Sequence, residues 1–289
     1  MSLESLYPYE VKRMELMGHD CAYIDEGAER KTGSTLVFLH GFSVNLTCFS
    51  RNYPYFIKKR RVVGLDYPGY YLSEKDPWIS YDIPFVANAV VEFIEKLKLK
   101  YVILVGSSMG GAVAMETALK RPDLISSMVL VAPAGFSGRN RLLASLLSLQ
   151  IKFSPDEKIL KKMTDRLYSR VTTFTHDKKL PFLDKITAGY DEMVKRDDYN
   201  LWINVLLNMA QEVLRADYRK RAKEIDIPTY ILWGDKDEVL PSVGAKTAQK
   251  SMGDNLTLEM MPNLGHLPFV EEPDLFNRKV DEFLRSEEL

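Results

Sequence analysis

Residues 105–112 read VGSSMGGA, and they are the strongest indication of the fold in this sequence. An apolar segment at 101–105 precedes it, and a helical pattern that runs to about residue 119 follows it. This order of strand, sharp G-x-S-x-G turn and helix places Ser108 at the centre of the turn. Gly106 and Gly110 fit it because a side chain at either position would collide with the neighbouring strand or helix. The turn predicts a serine at the tip of a β-sheet, over the positive end of a helix dipole.

Short apolar segments alternate with helical patterns on both sides of this turn. The segments are nearly continuous in apolar character, which is typical of strands covered by helices on both faces. A hairpin near the N-terminus, with its turn at residues 18–20, adds two antiparallel edge strands. We therefore predict an α/β fold with a mostly parallel eight-stranded sheet flanked by helices. The predicted strands are 11–17, 22–24, 35–39, 61–65, 101–105, 127–131, 229–233 and 256–261.

The alternation stops between residues 135 and 227, where the sequence indicates helices only. Leucines at 142–147 form one stripe, residues 154–157 read SPDE as a helix N-terminus with proline in the first turn, and residues 200–214 form another apolar helix. We predict a core domain formed by 1–135 and 227–289, and a helical cap at 136–226.

A serine nucleophile needs a base, and the base needs a carboxylate that orients it. His266 follows the last predicted strand, and Asp237 follows the strand before it. All three residues lie in predicted loops at the carboxyl ends of strands. Their order in the chain is Ser108, Asp237, His266, and we therefore predict a catalytic triad. Asp235 is the first alternative acid, although we expect it to bind backbone amides of its own turn, and Glu238 is the second. His19 and His176 are interpreted as structural.

The same chemistry needs two N–H donors for the oxyanion that forms on the substrate. Residues 38–42 read FLHGF after the third strand, and we predict that the Phe42 N–H is one donor. The second is the N–H of Met109, the residue after the nucleophile. His40 and Gly41 are interpreted as supports of this loop.

Composition excludes several other functions. The 289 residues carry a formal net charge of −1, with acidic and basic residues mixed, so no nucleic acid partner is expected. Cys21 and Cys48 make no disulfide framework and are expected to be free. The sequence contains no C-x-x-C, no H-E-x-x-H and no phosphate-binding loop, so we expect no metal and no organic cofactor. No signal peptide or apolar run of ~18 residues is visible, and we expect a cytoplasmic protein.

These motifs resemble the α/β-hydrolase superfamily from residue 36 to the C-terminus. Residues 66–73 read DYPGYYLS and are similar to the family's D-x-P-G-x-G-x-S loop, except that Tyr71 replaces the second glycine. Residues 38–43, 108–111, 132–135 and 227–240 resemble the membrane-associated monoacylglycerol lipases, although we do not expect their N-terminal membrane anchor in this chain.

The resemblance implies a serine hydrolase that cleaves short-to-medium acyl esters or a monoacylglycerol through an acyl-enzyme. One alternative is a carbon–carbon bond hydrolase of aromatic degradation, whose Ser-Met-Gly-Gly elbow is similar but whose loop after His-Gly is small and glycine-rich. Another is a ligand receptor on a hydrolase fold. The leucines of the cap are consistent with an apolar pocket for a small-molecule acyl ester or lipid substrate. The alternative is that they only form the cap's own core. The basic, leucine-rich residues 139–162 would suit a peripheral contact with a membrane. The sequence sets no oligomeric state.

Overall fold

The protein folds around one eight-stranded sheet with the strand order β1-β2-β4-β3-β5-β6-β7-β8. The structure is a computed structural model, and it describes residues 2–27, 33–137, 161–162, 165–166, 168 and 171–287. β1 pairs antiparallel with β2 and β2 with β4, and all other pairs are parallel. The prediction of a mostly parallel eight-stranded sheet is confirmed. The strands are β1 (Lys12–Leu16), β2 (His19–Glu26), β3 (Thr35–Leu39), β4 (Arg61–Leu65), β5 (Val102–Ser107), β6 (Ile125–Val131), β7 (Thr229–Gly234) and β8 (Leu256–Met261).

The central strands lie in the core of the molecule. Every residue of β3, β5 and β7 is buried, which explains their continuous apolar runs. β8 forms one edge and is largely half-exposed. Because β3, β5, β6, β7 and β8 run parallel, the loops after their last residues meet at one end of the sheet.

The described helices longer than one turn flank the sheet or lie between β6 and β7. At the start of the helix Ile83–Lys96, the Asp82 side chain accepts the N–H of Phe85 at 2.7 Å, and Pro84 occupies the first turn, so the helix begins with a side-chain cap. These helices are α1 (Tyr53–Ile57), α2 (Ile83–Lys96), α3 (Met109–Lys120), α4 (Pro181–Val194), α5 (Tyr199–Arg215), α6 (Val243–Met252), α7 (Pro268–Glu271) and α8 (Pro273–Ser286).

The N-terminal hairpin differs from the prediction in its turn. Met17 and Gly18 form a two-residue turn with φ values of 52° and 79°, and His19 already pairs with Leu16. A methionine in the left-handed region gives no turn signal in a sequence, so the turn predicted at residues 18–20 is one residue too late. β2 is consequently longer than the predicted 22–24.

The segment between β6 and β7 contains α4 and α5, and the predicted helix at 200–214 is confirmed as α5. The predicted helical features at 142–147 and 154–157 lie outside the described residues. The division into a core and a cap at 136–226 stays a prediction. Among the described helices, none is both long and apolar enough to cross a membrane.

Candidate active site

Ser108 stands in a sharp turn between β5 and α3. Its backbone has φ 54° and ψ −113°, a strained conformation for a residue with a side chain. The turn is held because the Ser108 N–H donates to the carbonyl of Val131 at 2.8 Å. A Cβ on Gly106 would collide with the backbone of Gly110, and one on Gly110 would collide with the carbonyl of Leu39. Both glycines are therefore required by backbone packing.

His266 and Asp237 form a buried pair on the neighbouring loops. The Nδ1 atom of His266 lies 2.8 Å from Oδ2 of Asp237, and the two residues are 4% and 8% exposed. The other oxygen, Oδ1, accepts the N–H groups of Val239 and Leu240, each at 2.8 Å. Three donors thus fix the carboxylate, which in turn fixes the imidazole with its Nδ1–H toward Asp237.

Asp235 has a different environment from Asp237. Its Oδ1 accepts the N–H of Asn263 at 2.7 Å. Its side chain is partly exposed, and its Oδ2 lies 3.9 Å from Nζ of Lys236. This carboxylate joins the loops after β7 and β8. It therefore acts on loop geometry, in contrast to Asp237, which binds the imidazole.

Ser108 and His266 line the same cavity of about 90 Å³. Its other walls are mainly apolar and include Phe42, Phe174, Val213, Val239, Leu240 and Leu267. Within the described residues, the Ser108 hydroxyl forms no hydrogen bond with the imidazole, and the Phe42 N–H has no protein acceptor. Met109 begins α3, so its N–H belongs to the first turn, where helix amides have no partner within the helix. The cavity therefore brings together an alcohol, an oriented imidazole and Phe42, which is one of the two predicted oxyanion donors; Met109 follows Ser108 directly but does not line the cavity.

His40 supports the loop that carries Phe42. Its Nδ1–H donates to the carbonyl of Gly41 at 2.9 Å, and its Nε2 lies 3.5 Å from the N–H of Tyr67. The ring is fully buried between Tyr67 and Tyr70, with centroids 4.1 and 4.9 Å away. Burial lowers the pKa of His40 to about 3, so the ring stays neutral near pH 7. Gly41 lines the cavity next to the Ser108 side chain.

The remaining two histidines lie away from this cavity. His19 is buried in β2 with its Nδ1 2.8 Å from the carbonyl of Met17. His176 is exposed, and its backbone N–H donates to the Glu271 carboxylate. Neither residue lines the cavity that contains Ser108. Among the residues that the structure describes, no cluster of three or more His, Cys, Asp or Glu side chains could hold a metal ion.

Glu271 is a site-supporting residue that sequence reasoning missed. Its Oε1 accepts the N–H of Gly265, which precedes His266, at 2.7 Å. Its Oε2 accepts the N–H groups of His176 and Asp177 at 2.7 and 3.2 Å. Burial raises the pKa of this carboxyl despite the three donors. Glu271 therefore ties the histidine loop to the segment between β6 and β7.

Asp66 is a second residue whose role was missed. It is fully buried, accepts the N–H of Leu46 at 2.8 Å and binds the hydroxyl of Tyr7 from the N-terminal segment. Burial raises its pKa to about 7. Its partners lie 20 and 59 residues away, so no local pattern in the sequence indicates them.

Comparison with known proteins supports the fold and points to hydrolases. A family model described as the α/β hydrolase fold matches residues 34–273. Human monoacylglycerol lipase ABHD6 is 28% identical over 256 residues, which cover 87% of this chain and 75% of the lipase.

Two solved structures are also similar. One is a probable hydrolytic enzyme from Pseudomonas aeruginosa PAO1, at 20% identity and a TM-score of 0.81, covering 96% of this chain and 95% of that one. The other is a bacterial membrane phospholipase A, at 23% identity and a TM-score of 0.78, covering 99% and 89%. At these identities the two structures support the fold assignment alone.

Proposed function

Since the chain belongs to the α/β-hydrolase family, we propose that it hydrolyses carboxylic esters with Ser108 as nucleophile, His266 as general base and Asp237 as the orienting acid. The observation that carries the proposal is the buried hydrogen bond between His266 and Asp237, because His266 and Ser108 line the same cavity. With Nδ1–H committed to Asp237, Nε2 is the nitrogen that can take a proton.

The reaction proceeds by acyl transfer in two halves. The Ser108 hydroxyl turns toward Nε2 of His266, loses its proton and attacks the ester carbonyl, while the Phe42 and Met109 amides bind the oxyanion. His266 then gives the proton to the departing alcohol. In the second half, His266 takes a proton from water, which attacks the acyl-enzyme, and then returns a proton to the Ser108 oxygen as the acid leaves. Apart from the ester and water, each step uses groups of this chain.

The substrate that we propose is a short-to-medium acyl ester or a monoacylglycerol. Two features support it: the apolar walls of the cavity, which suit an acyl chain, and the similarity to a protein named monoacylglycerol lipase. The predicted cap, residues 136–226, contributes Phe174 and Val213 to these walls and would select the acyl group.

Turnover of p-nitrophenyl butyrate by the wild-type protein and two serine variants tests the proposal. Ser108→Ala should lower kcat at least about 10⁴-fold, because the nucleophile is gone. Ser107→Ala is the matched control, since it removes the neighbouring buried hydroxyl, which has no hydrogen-bond partner among the described residues, and it should keep most of the activity. A fluorophosphonate probe should label the wild type at Ser108. Equal activity of Ser108→Ala and the wild type would refute the proposal.

A series of p-nitrophenyl esters from acetate to palmitate tests the acyl preference. We expect the highest kcat/KM below palmitate, and a maximum at palmitate would contradict the proposed chain length. Hydrolysis of a vinylogous diketone by the same protein tests the alternative chemistry, cleavage of a carbon–carbon bond. Turnover of that compound without turnover of any ester would identify a carbon–carbon bond hydrolase instead.

A further inference from the structure

The carbonyl of Ser43, next to the proposed oxyanion donor Phe42, accepts two buried phenol hydroxyls. Tyr71 donates to it at 3.0 Å and Tyr168 at 2.6 Å. A carbonyl oxygen has two lone pairs, so these two donors satisfy it completely. Ser43 itself has φ 61°, a left-handed conformation that a side chain rarely adopts. The loop therefore holds an unfavourable backbone conformation beside a carbonyl that is fixed by two side chains.

Tyr71 occupies a position that favours glycine. It replaces the second glycine of the D-x-P-G-x-G-x-S pattern, and its φ of 37° lies in the left-handed region, which is unfavourable for a residue with a side chain. The strained residue is 2% exposed and its ring packs edge-on against Trp202, with centroids 5.5 Å apart. Since the strain is retained at a buried site, the packing and hydrogen bonds of Tyr71 must compensate it.

Tyr168 comes from a different part of the chain. It lies between β6 and β7, is 6% exposed and stacks on Tyr190 of α4, with centroids 4.2 Å apart. Its hydroxyl reaches Ser43 and also lies 3.2 Å from the Tyr71 hydroxyl. Burial raises the pKa of both phenols, so they remain neutral donors near pH 7.

We infer that Tyr71 and Tyr168 are positioning residues that hold residues 41–44 in the conformation in which the Phe42 N–H faces the oxyanion. The inference rests on the proposed function and assigns to these two tyrosines the preorganisation of its oxyanion donor. Neither hydroxyl touches the substrate in this scheme. Their loss lets the loop relax from its strained conformation, and the donor then lies off the position that the oxyanion takes. The cavity walls that lie outside this loop, such as Phe174, Val213 and Leu267, are unchanged, so substrate binding should change much less than the rate.

Tyr71→Phe, Tyr168→Phe and the double variant test this inference with p-nitrophenyl butyrate. We expect kcat to fall about tenfold in each single variant and further in the double variant, up to the ~10²–10³-fold effect of losing an oxyanion donor outright. KM should stay within about twofold of the wild-type value, since ground-state binding is retained. The inhibition constant of butane-1-boronic acid, which forms a tetrahedral adduct with an active-site serine, should rise by the same factor as kcat falls.

Tyr230→Phe is the matched control. It also removes a buried phenol hydroxyl, which binds Glu259 at the other end of β7 from the cavity, and kcat should stay near the wild-type value. Hydrogen–deuterium exchange of residues 41–46 gives a readout that needs no turnover. Exchange there should be faster in the double variant and unchanged in Tyr230→Phe.

The outcomes separate the two proposals. If the wild type turns over esters but the double variant matches Tyr230→Phe in kcat and in exchange, the positioning role is wrong and the proposed function stands. A rise in KM with unchanged kcat would also overturn it, because the tyrosines would then act on binding. If no ester is turned over, the proposed function fails, and unchanged exchange at 41–46 would overturn the positioning role as well.

Discussion

Asp237→Asn changes one oxygen to an NH₂ group and should disable the proposed base without removing any residue that touches the substrate. In the wild type, Oδ1 of Asp237 accepts two backbone N–H groups and Oδ2 faces Nδ1 of His266. The asparagine amide can place its single oxygen at only one of these two positions. The two backbone donors at Val239 and Leu240 decide which one.

The magnitude follows from these hydrogen bonds. Turning the amide so that its NH₂ faces Val239 and Leu240 would break two hydrogen bonds worth about 1 kcal/mol each and leave two partly buried N–H groups without an acceptor. The oxygen therefore stays with the backbone and the NH₂ faces His266. Nδ1 must then accept, so the ring proton moves to Nε2, and Nε2 can no longer take the proton of Ser108. We expect kcat to fall about 10⁴-fold, or ~5.5 kcal/mol of barrier.

The assay is kcat and kcat/KM for p-nitrophenyl butyrate between pH 6 and 9, with thermal unfolding as a check on folding. Asp235→Asn is the control, because its amide oxygen can still accept the Asn263 N–H and it should keep most of the activity. If Asp237→Asn retained more than about a tenth of wild-type kcat, or if Asp235→Asn were the more damaged variant, the assigned roles would be refuted.

Three further changes test the supports of the site. Gly110→Ala should lower the free energy of unfolding by more than about 2 kcal/mol in urea denaturation, because the added methyl collides with the Leu39 carbonyl. Glu271→Gln should cost about 1–2 kcal/mol in the same assay and lower kcat, since one of its backbone donors, at Gly265 or His176, must face an NH₂ group. Asp66→Asn should remove a pH dependence. With a pKa raised to about 7, the native state keeps a proton that the unfolded chain loses, so the wild type loses about 2–3 kcal/mol of stability between pH 5 and 8 relative to the variant.

The sequence predicted those parts of the site that local chain geometry determines. The G-x-S-x-G turn around Ser108 is readable because glycine is required where the backbones of β5 and α3 approach closely. Asp237 and His266 could be paired because the loops after neighbouring parallel strands open at the same edge of the sheet. The hydrogen bond between them agrees with that reasoning.

Other contacts could not be predicted, because they depend on how far side chains reach across the fold. Tyr7 donates a hydrogen bond to Asp66, 59 residues away in the chain, and Tyr168 donates one to Ser43, 125 residues away. No periodicity or motif spacing in the sequence connects the members of either pair. Tyr71 was visible as a departure from a glycine pattern, but its contact with Ser43 was not. Glu271 looks like an ordinary residue of a short helix until its three backbone donors are seen.

The proposed triad and the proposed oxyanion loop are held by different kinds of restraint, and this difference has a kinetic consequence. Backbone N–H groups fix Asp237, whereas side chains from distant segments fix the loop, through Asp66 at Leu46 and through Tyr168 at Ser43. A change in the first set alters which nitrogen of the imidazole carries the proton, so it changes the pH profile as well as the rate. A change at Tyr168, in the second set, displaces a neutral donor and leaves the imidazole as it is, so it should lower kcat by the same factor at every pH. The two sets share no hydrogen bond, and their effects on the barrier should therefore add.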